Sequence, residues 1–381
     1  MCESVRPDFL FQLIDRKKFD DLCIKWNMDK GVRCFTTWDQ TCSLIMATVM
    51  RLDSLREIEA VLGVPRSTFC DANSSRSSGF FQELCEIVLL QIKSETRDRK
   101  LRRAIRSLLA IDSSECRVHG SLYSLPGWRD KNGKSENKKA IVKFHAIWNV
   151  DDEWIEDFRI TPGRRHDSPI AKQFPILSNH TYVFDRAYRD MEFWKKITQA
   201  GSHFVSRLHN THRTRYKRMI ILPKKENLDG VLWDGEWKPN EHYLKTHSEE
   251  KNVRYRHVMY RDPETKKLFD FITSDFESAA QDIADIYRKR WAVELLFRWL
   301  KGHLNIRHFP TKNPNTIRTQ LAITVLVQLL VQLYKISNSF SGTLWECLRS
   351  IRTMLTRKGL QLLPPTAGHR GIRPWTQLPS R

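Results

Sequence analysis

Acidic residues are the scarce charged class in this chain of 381 residues. There are 44 Asp plus Glu against 64 Lys plus Arg, a net charge of +20 and an isoelectric point near 9.7. That deficit argues against cationic partners and favours a polyanion, of which nucleic acid is the commonest. Cysteine is also sparse: eight residues, none in a CxxC pair, seven of them before position 120. Neither a disulfide scaffold nor a thiolate metal site is expected, only reduced, partly buried thiols in a cytoplasmic protein. No apolar run approaches the ~20 residues of a spanning helix. The richest, "LAITVLVQLLVQLY" from Leu321, is interrupted by Gln328 and Gln332 and reads as a buried core helix, so no membrane partner is expected. The first residues, "MCESVRPDFLFQLIDRKKFDD", lack the apolar stretch of a secretion signal.

Residues 1–100 read as a helical N-terminal domain, with helical spacing in "FDDLCIKWNM" and "FFQELCEIVLLQI". Within it, "DSLREIEAVLGVPRSTFCDAN" has a capping box at Ser54 and Glu57, a stop at Gly63 and a restart at Pro65 and Ser67. This is the outline of a helix-turn-helix, a motif found both in DNA readers and in proteins that bind nothing. The segment from Lys93 to Ser107 reads as a basic linker, either a solvated charge run or a strap for phosphates.

From there the pattern alternates. "IRSLLAID" ends at Asp112 as a buried strand, and "IVKFHAIWNV" and "EWIEDFRIT" follow around a polar turn. "SPIAKQF" is a short helix, "TYVFD" a strand stopping at Asp185, "MEFWKKITQAG" a helix closed by Gly201, and "HFVSRL" a strand. Three antiparallel strands, then alternating helices and strands, is the order of a ribonuclease-H-like α/β domain, assigned here to residues 101–208. Residues 209–267 break that order with short β-rich pieces, "RMIILP", "YLKT" and "VRYRHVMYR", between "DG", "PNE" and "DPET" turns. This β-rich insertion is basic, with 15 Lys plus Arg against 9 Asp plus Glu between Arg207 and Lys267. The core resumes over 268–343, starting from "LFDFITS", and residues 344–381 read as a basic, Pro-rich, partly disordered tail.

Chemistry concentrates in "DIYRKRWAVELLFRWLKGHLNIRHF", which begins at Asp285. On one helix at about 100° per residue, with Tyr287 at zero, Arg290 falls at about 300°, Lys301 at about 320°, Glu294 at about 340° and Arg298 at about 20°. That is a narrow polar stripe on an otherwise apolar helix. Asp112 and Asp185 at the ends of buried strands are costly to desolvate unless paired, and strand ends are where α/β sheets bind ligands. With Glu294 they offer three oxygen ligands suited to hard divalent ions such as Mg²⁺ or Mn²⁺. Two such ions can activate water and stabilise a leaving 3′ oxygen, while Arg290, Arg298 and Lys301 hold phosphates. On spacing alone, Glu294 reads more readily as an ion-pair partner of Arg290 and Arg298 at i−4 and i+4 than as a metal ligand.

Tyr287, Arg290, Glu294 and Lys301 spell YxxRxxxExxxxxxK, which resembles the signature of DDE insertion-sequence transposases of the IS-four group. "VFDRAY" around Asp185 and "IDSS" at Asp112 resemble that family's two aspartate motifs. "VKFH", "RRHDS", "FVSRL", "YRKRW", "CFTTWDQ" and "SLREIE" resemble further landmarks in the right order, so the likeness covers most of residues 5–335. The family usually has Thr where Ser114 stands and Gly where Ala187 stands. The resemblance implies that Asp112, Asp185 and Glu294 bind two Mg²⁺, with Mn²⁺ able to substitute. It implies that Tyr287, Arg290 and Lys301 grip phosphates of double-stranded DNA at the transposon end, with Arg207 facing DNA as well. It further implies a flipped base stacked on Trp233 or Trp237, either of which equally suits the insertion's own core, and a homodimer on two DNA ends. The activity implied is cut-and-paste transposition through a hairpin. A metal-dependent nuclease without strand transfer and a non-catalytic DNA-binding derivative are the alternatives. His145 and His166 are expected to make structural hydrogen bonds, and His209 and His212 lack the partner cysteines of a zinc site.

Overall fold

The computed structural model describes residues 7–101, 106–128, 140–188, 190–208, 216–221, 230–246, 251–304, 306, 309 and 311–362. Five helices come first: α1 (Arg16–Lys25), α2 (Thr37–Met50), α3 (Leu55–Leu62), α4 (Arg66–Ser75) and α5 (Ser78–Leu101). Their starts and stops follow from capping chemistry. Thr36 and Asp39 form a reciprocal capping box for α2. The Ser54 side chain caps α3 by accepting from Glu57 N–H, while the Glu57 carboxylate takes the N–H of Asp53. Gly63 ends α3 at φ +67°, the left-handed turn a glycine adopts without strain, and α4 follows at once. The expected helix-turn-helix outline is therefore present. The expected basic linker is not, because its first nine residues form the last turns of α5.

One nine-stranded sheet follows, ordered β3-β2-β1-β4-β5-β9-β8-β7-β6. Its first half is β1 (Ser107–Val118), β2 (Ala140–Asn149), β3 (Trp154–Pro162), β4 (His180–Phe184) and β5 (His203–Arg207). β1, β2 and β3 are antiparallel neighbours, and β4 and β5 run parallel to β1. Helices α6 (Asp167–Ala171) and α7 (Met191–Gln199) lie in the connections. The insertion adds β6 (Tyr216–Ile221), β7 (Val231–Pro239) and β8 (Tyr255–Arg261), and β9 (Leu268–Thr273) joins them to β5. It thus extends the core sheet instead of forming a body of its own. The stretch "YLKT", expected as a strand, overlaps the short helix α8 (Glu241–Leu244).

The sheet is covered on both faces. Ala110, Phe144, Ala146 and Val183 join one apolar cluster with α5 and with α9 (Ala280–Arg288), α10 (Trp291–His303) and α11 (Pro314–Ser337). Leu109, Ile111, Tyr182 and Phe184 join a second cluster with α6 and α7. By length and composition α11 qualifies as a membrane span, but 83% of its most apolar window is buried inside the protein. Its two glutamines are structural. Gln328 accepts from Ile155 N–H at 3.1 Å and donates to Glu153 O, and Gln332 donates to Asp152 O at 2.7 Å. They satisfy backbone groups where the β2–β3 hairpin meets the helix.

The tail reading needs correction. Leu344–Leu362 form a helix, α12, whose Leu344, Cys347, Leu348, Ile351 and Leu355 are buried at i, i+3, i+4 spacing. Arg352 donates to Val49 O and His303 O, so it caps the carboxyl ends of α2 and α10 together. Residues 363–381 lie outside the described residues.

Candidate active site

The expected strand end at Asp112 is only half right. β1 continues to Val118 beside β2, whereas its parallel pairing with β4 stops at Ile111↔Phe184. Asp112 and Asp185 are the next residues on those two neighbouring strands. Parallel neighbours lie roughly 5 Å apart, so register alone brings the two aspartates together. Side chains alternate across a strand. Asp112 therefore shares the face of Ala110, where α10 packs, and Ser113 shares the opposite face with Leu109 and Ile111.

The helix expected from Asp285 onward is two helices. α9 ends at Arg288 and α10 starts at Trp291, with short-range bonds from Ala292 N–H to Lys289 O and Val293 N–H to Arg290 O at the junction. The break leaves the polar stripe facing the sheet. Tyr287 Oη lies 3.4 Å from Asp185 Oδ1. Arg290 Nη1 lies 3.4 Å from Asp112 Oδ2, and Nη2 donates to Glu294 Oε1 at 2.5 Å. Lys301 donates to Glu115 O at 2.9 Å and ties the last turn of α10 to β1. One guanidinium thus spans two of the three carboxylates, and a phenol reaches the third.

The electrostatics fit that crowding. Burial raises Asp112 to about 6, helped by the charges of Glu294 and Asp185 and opposed by Ser113 N–H and Arg290. Tyr287 is pushed up to about 12 by burial and then by Asp185. Among the described residues no three His, Cys, Asp or Glu side chains are gathered tightly enough to hold one ion as they stand. The Arg290 guanidinium lies between Asp112 and Glu294. The donor set itself suits a hard divalent cation: it is all carboxylate oxygen, and partly desolvated Asp112 lacks full charge compensation.

The remaining sites divide. Arg207, at the end of β5, lies over the Phe269 ring at 5.4 Å and near enough to Tyr287 for its charge to act there. Arg298, one turn after Glu294 on α10, is exposed and lies over the Trp291 ring at 5.8 Å. Trp291 and Leu295 are also exposed, at 48% and 46%, so α10 is less enclosed than its sequence suggests. Trp237 is buried at 2% with Trp194 and Tyr255 in the second cluster, whereas Trp233 is half-buried. His145 bonds Thr161 Oγ1 at 2.9 Å as expected, while His166 is exposed at the start of α6 without a side-chain cap. His209 and His212 lie outside the described residues. Ala187 does not adopt a positive φ, so the missing glycine costs nothing there. Sequence reasoning noted "VKFH" and "RRHDS" only as landmarks. The structure joins them, with Lys143 Nζ 2.9 Å from Asp167 Oδ1 and Ser113 Oγ 2.9 Å from the same oxygen, directly behind Asp112.

Comparison with known proteins agrees with this architecture. Residues 103–330, more than half of the chain, match the family described as Transposase DDE domain. Residues 9–68 match a domain of unknown function, DUF4372. A putative transposase of Sinorhizobium fredii is 29% identical over 73% of this chain and 74% of its own length. A probable transposase for insertion sequence element IS5377 of Geobacillus stearothermophilus is 25% identical over 86% and 84%. A solved structure of the piggyBac transposase synaptic complex with hairpin DNA superposes with a TM-score of 0.50 at 12% identity, covering 95% of this chain and 82% of that one. That likeness speaks to the fold.

Proposed function

The chain belongs to the DDE transposase family of insertion sequences, enzymes of metal-dependent DNA transposition, and from that premise we propose which of its residues do the work. Asp112, Asp185 and Glu294 would hold the divalent ions, Mg²⁺ in the first instance. The observation that carries this is the register of β1 and β4, which makes the two aspartates neighbours, together with the Arg290 bridge from Asp112 to Glu294. Bound there, the ions supply an activated water and charge stabilisation for a leaving 3′ oxygen.

The chain's own part is placement. Tyr287, Arg290 and Lys301 grip the backbone of the transposon end, and Arg290 exchanges its carboxylate partners for phosphate as metal and DNA arrive. Arg207 extends this grip along the sheet edge. Trp233, with part of its ring outside the core, is a better platform for a flipped base than enclosed Trp237. Helices α3 and α4 supply a DNA-reading unit within the N-terminal region. The reaction proceeds by cleavage of one strand, attack of the freed 3′-OH on the opposite strand to form a hairpin, reopening by water, and joining to target DNA within a homodimer. The hairpin and the dimer rest on the family resemblance.

Pre-cleaved inverted-repeat ends incubated with a supercoiled target and Mg²⁺ provide the test. Joined products support transposition. Cleavage of intact ends without joining would favour a nuclease, and neither activity would favour a DNA-binding derivative.

A further inference from the structure

Behind Asp112, on the far face of the sheet, lies a polar cluster that the reaction above does not use. Lys143, in β2, has only 2% of its side chain exposed and donates to Asp167 Oδ1 at 2.9 Å and to Arg165 O at 3.1 Å. The Ser113 hydroxyl donates to the same Asp167 oxygen at 2.9 Å. The Ser113 N–H in turn donates to Asp112 Oδ1 at 2.8 Å. Tyr188, 2% exposed, projects into the same cluster, and its own N–H closes the turn after β4 by donating to Asp185 O at 3.0 Å. Asp112 is therefore backed by a chain of partly buried polar groups that runs through Ser113 and Asp167 to Lys143.

A buried ion pair gives little net stability compared with packed apolar side chains of the same volume. Lysine and aspartate at these positions call for a reason beyond stability, and the chain of bonds supplies one. We infer that Asp167, held by Lys143, is a positioning residue: through Ser113 it fixes the part of β1 that aims Asp112, and so sets how tightly the carboxylate site takes a divalent ion. Ser113 is the link between the two faces of the sheet. The inference rests on the carboxylate site proposed above.

Manganese binding to the full-length protein, read from the electron paramagnetic resonance of free Mn²⁺, tests it without any turnover. Ser113→Ala removes the hydroxyl link and leaves the Lys143–Asp167 pair intact. It should bind metal-free end DNA like wild type yet need about tenfold or more Mn²⁺ for half-saturation, the usual cost of losing a support behind a metal ligand. Should that variant melt early, Lys143→Met combined with Asp167→Asn leaves no unpaired charge and carries the same expectation. Wild-type Mn²⁺ saturation in whichever of the two folds overturns the inference. Asp112→Ala is the reference. If it too binds Mn²⁺ normally, the metal site itself has been misassigned, whereas loss in Asp112→Ala with normal Ser113→Ala defeats only the positioning role.

Discussion

The two halves of the sheet are held together by different forces. Around β1, β2 and β4 the packing is largely apolar on both faces; every position of β2 is buried, and Lys143 and His145 bring polar groups near the catalytic register. Across β7, β8 and β9 charged cross-strand pairs stand among apolar ones such as Val258 beside Phe271. Arg256, 3% exposed, makes two 2.8 Å bonds to Asp234, and its remaining donors reach Asp275 O and Ser278 O. Glu236, 2% exposed, pairs with Arg254 and Lys238, and His257 Nε2 lies 2.9 Å from Asp270. In an apolar half the loss of one contact leaves a cavity but no stranded charge. A half built on buried pairs is sensitive to the loss of a partner that nothing replaces, because the other is left charged in a dry place.

The largest expected effect lies in the catalytic half and concerns activity. Glu294→Ala or Asp112→Ala should lower Mg²⁺-dependent nicking of inverted-repeat DNA by about 10³-fold or more, with the fold retained and end binding near wild type. Nicking at the normal rate in both would remove the functional contrast between the halves.

Arg256→Met comes next. Stranding Asp234 should cost roughly 3–5 kcal/mol, expressed locally. Hydrogen exchange should accelerate in β7 and β8 while β1 and β2 keep wild-type protection. Equal loss in all four strands would show that the sheet behaves as one unit.

Asp112→Asn should stabilise the metal-free protein by roughly 2–3 kcal/mol. The sign follows from the raised value of about 6. The stability conferred by a neutral Asp112 is fully present below pH about 4 and is lost as pH rises through about 6, so the amide removes a penalty that ionised Asp112 carries at pH 7. Thermal melts of metal-free protein across that window read the effect. Cleavage by the wild type should fall as the pH drops below about 6, because a protonated carboxyl cannot ligate an ion. The smallest expected effect is that of Arg254→Gln. This cation is 62% exposed and its partner Glu236 keeps Lys238, so a melt should move by less than about 1 kcal/mol.

The same contrast accounts for what was legible in the sequence. The strand before Asp185 reads correctly from the apolar run "TYVFD", whereas the strand through Asp112 runs on to Val118, beyond the end predicted for it. Tyr287, Arg290 and Glu294 were aligned correctly even though the single helix expected there is two, because a junction at Lys289 and Arg290 preserves the face. β7 escaped notice because its Asp234, Gly235 and Glu236 look like a polar turn until their partners on β8 are seen. α12 had the helical spacing, but its Pro-rich continuation dominated the reading. Lys143 and Asp167 are 24 residues apart, and only the fold brings them together behind Ser113.

The central claim is that Asp112, Asp185 and Glu294 share one divalent ion site. Substituting Fe²⁺ for Mg²⁺ and generating hydroxyl radicals at the bound iron cuts the backbone beside its ligands. Scission mapped by mass spectrometry should cluster around residues 112, 185 and 294, three places far apart in the chain and cut together. Scission around only one of them, or at none, would contradict the account.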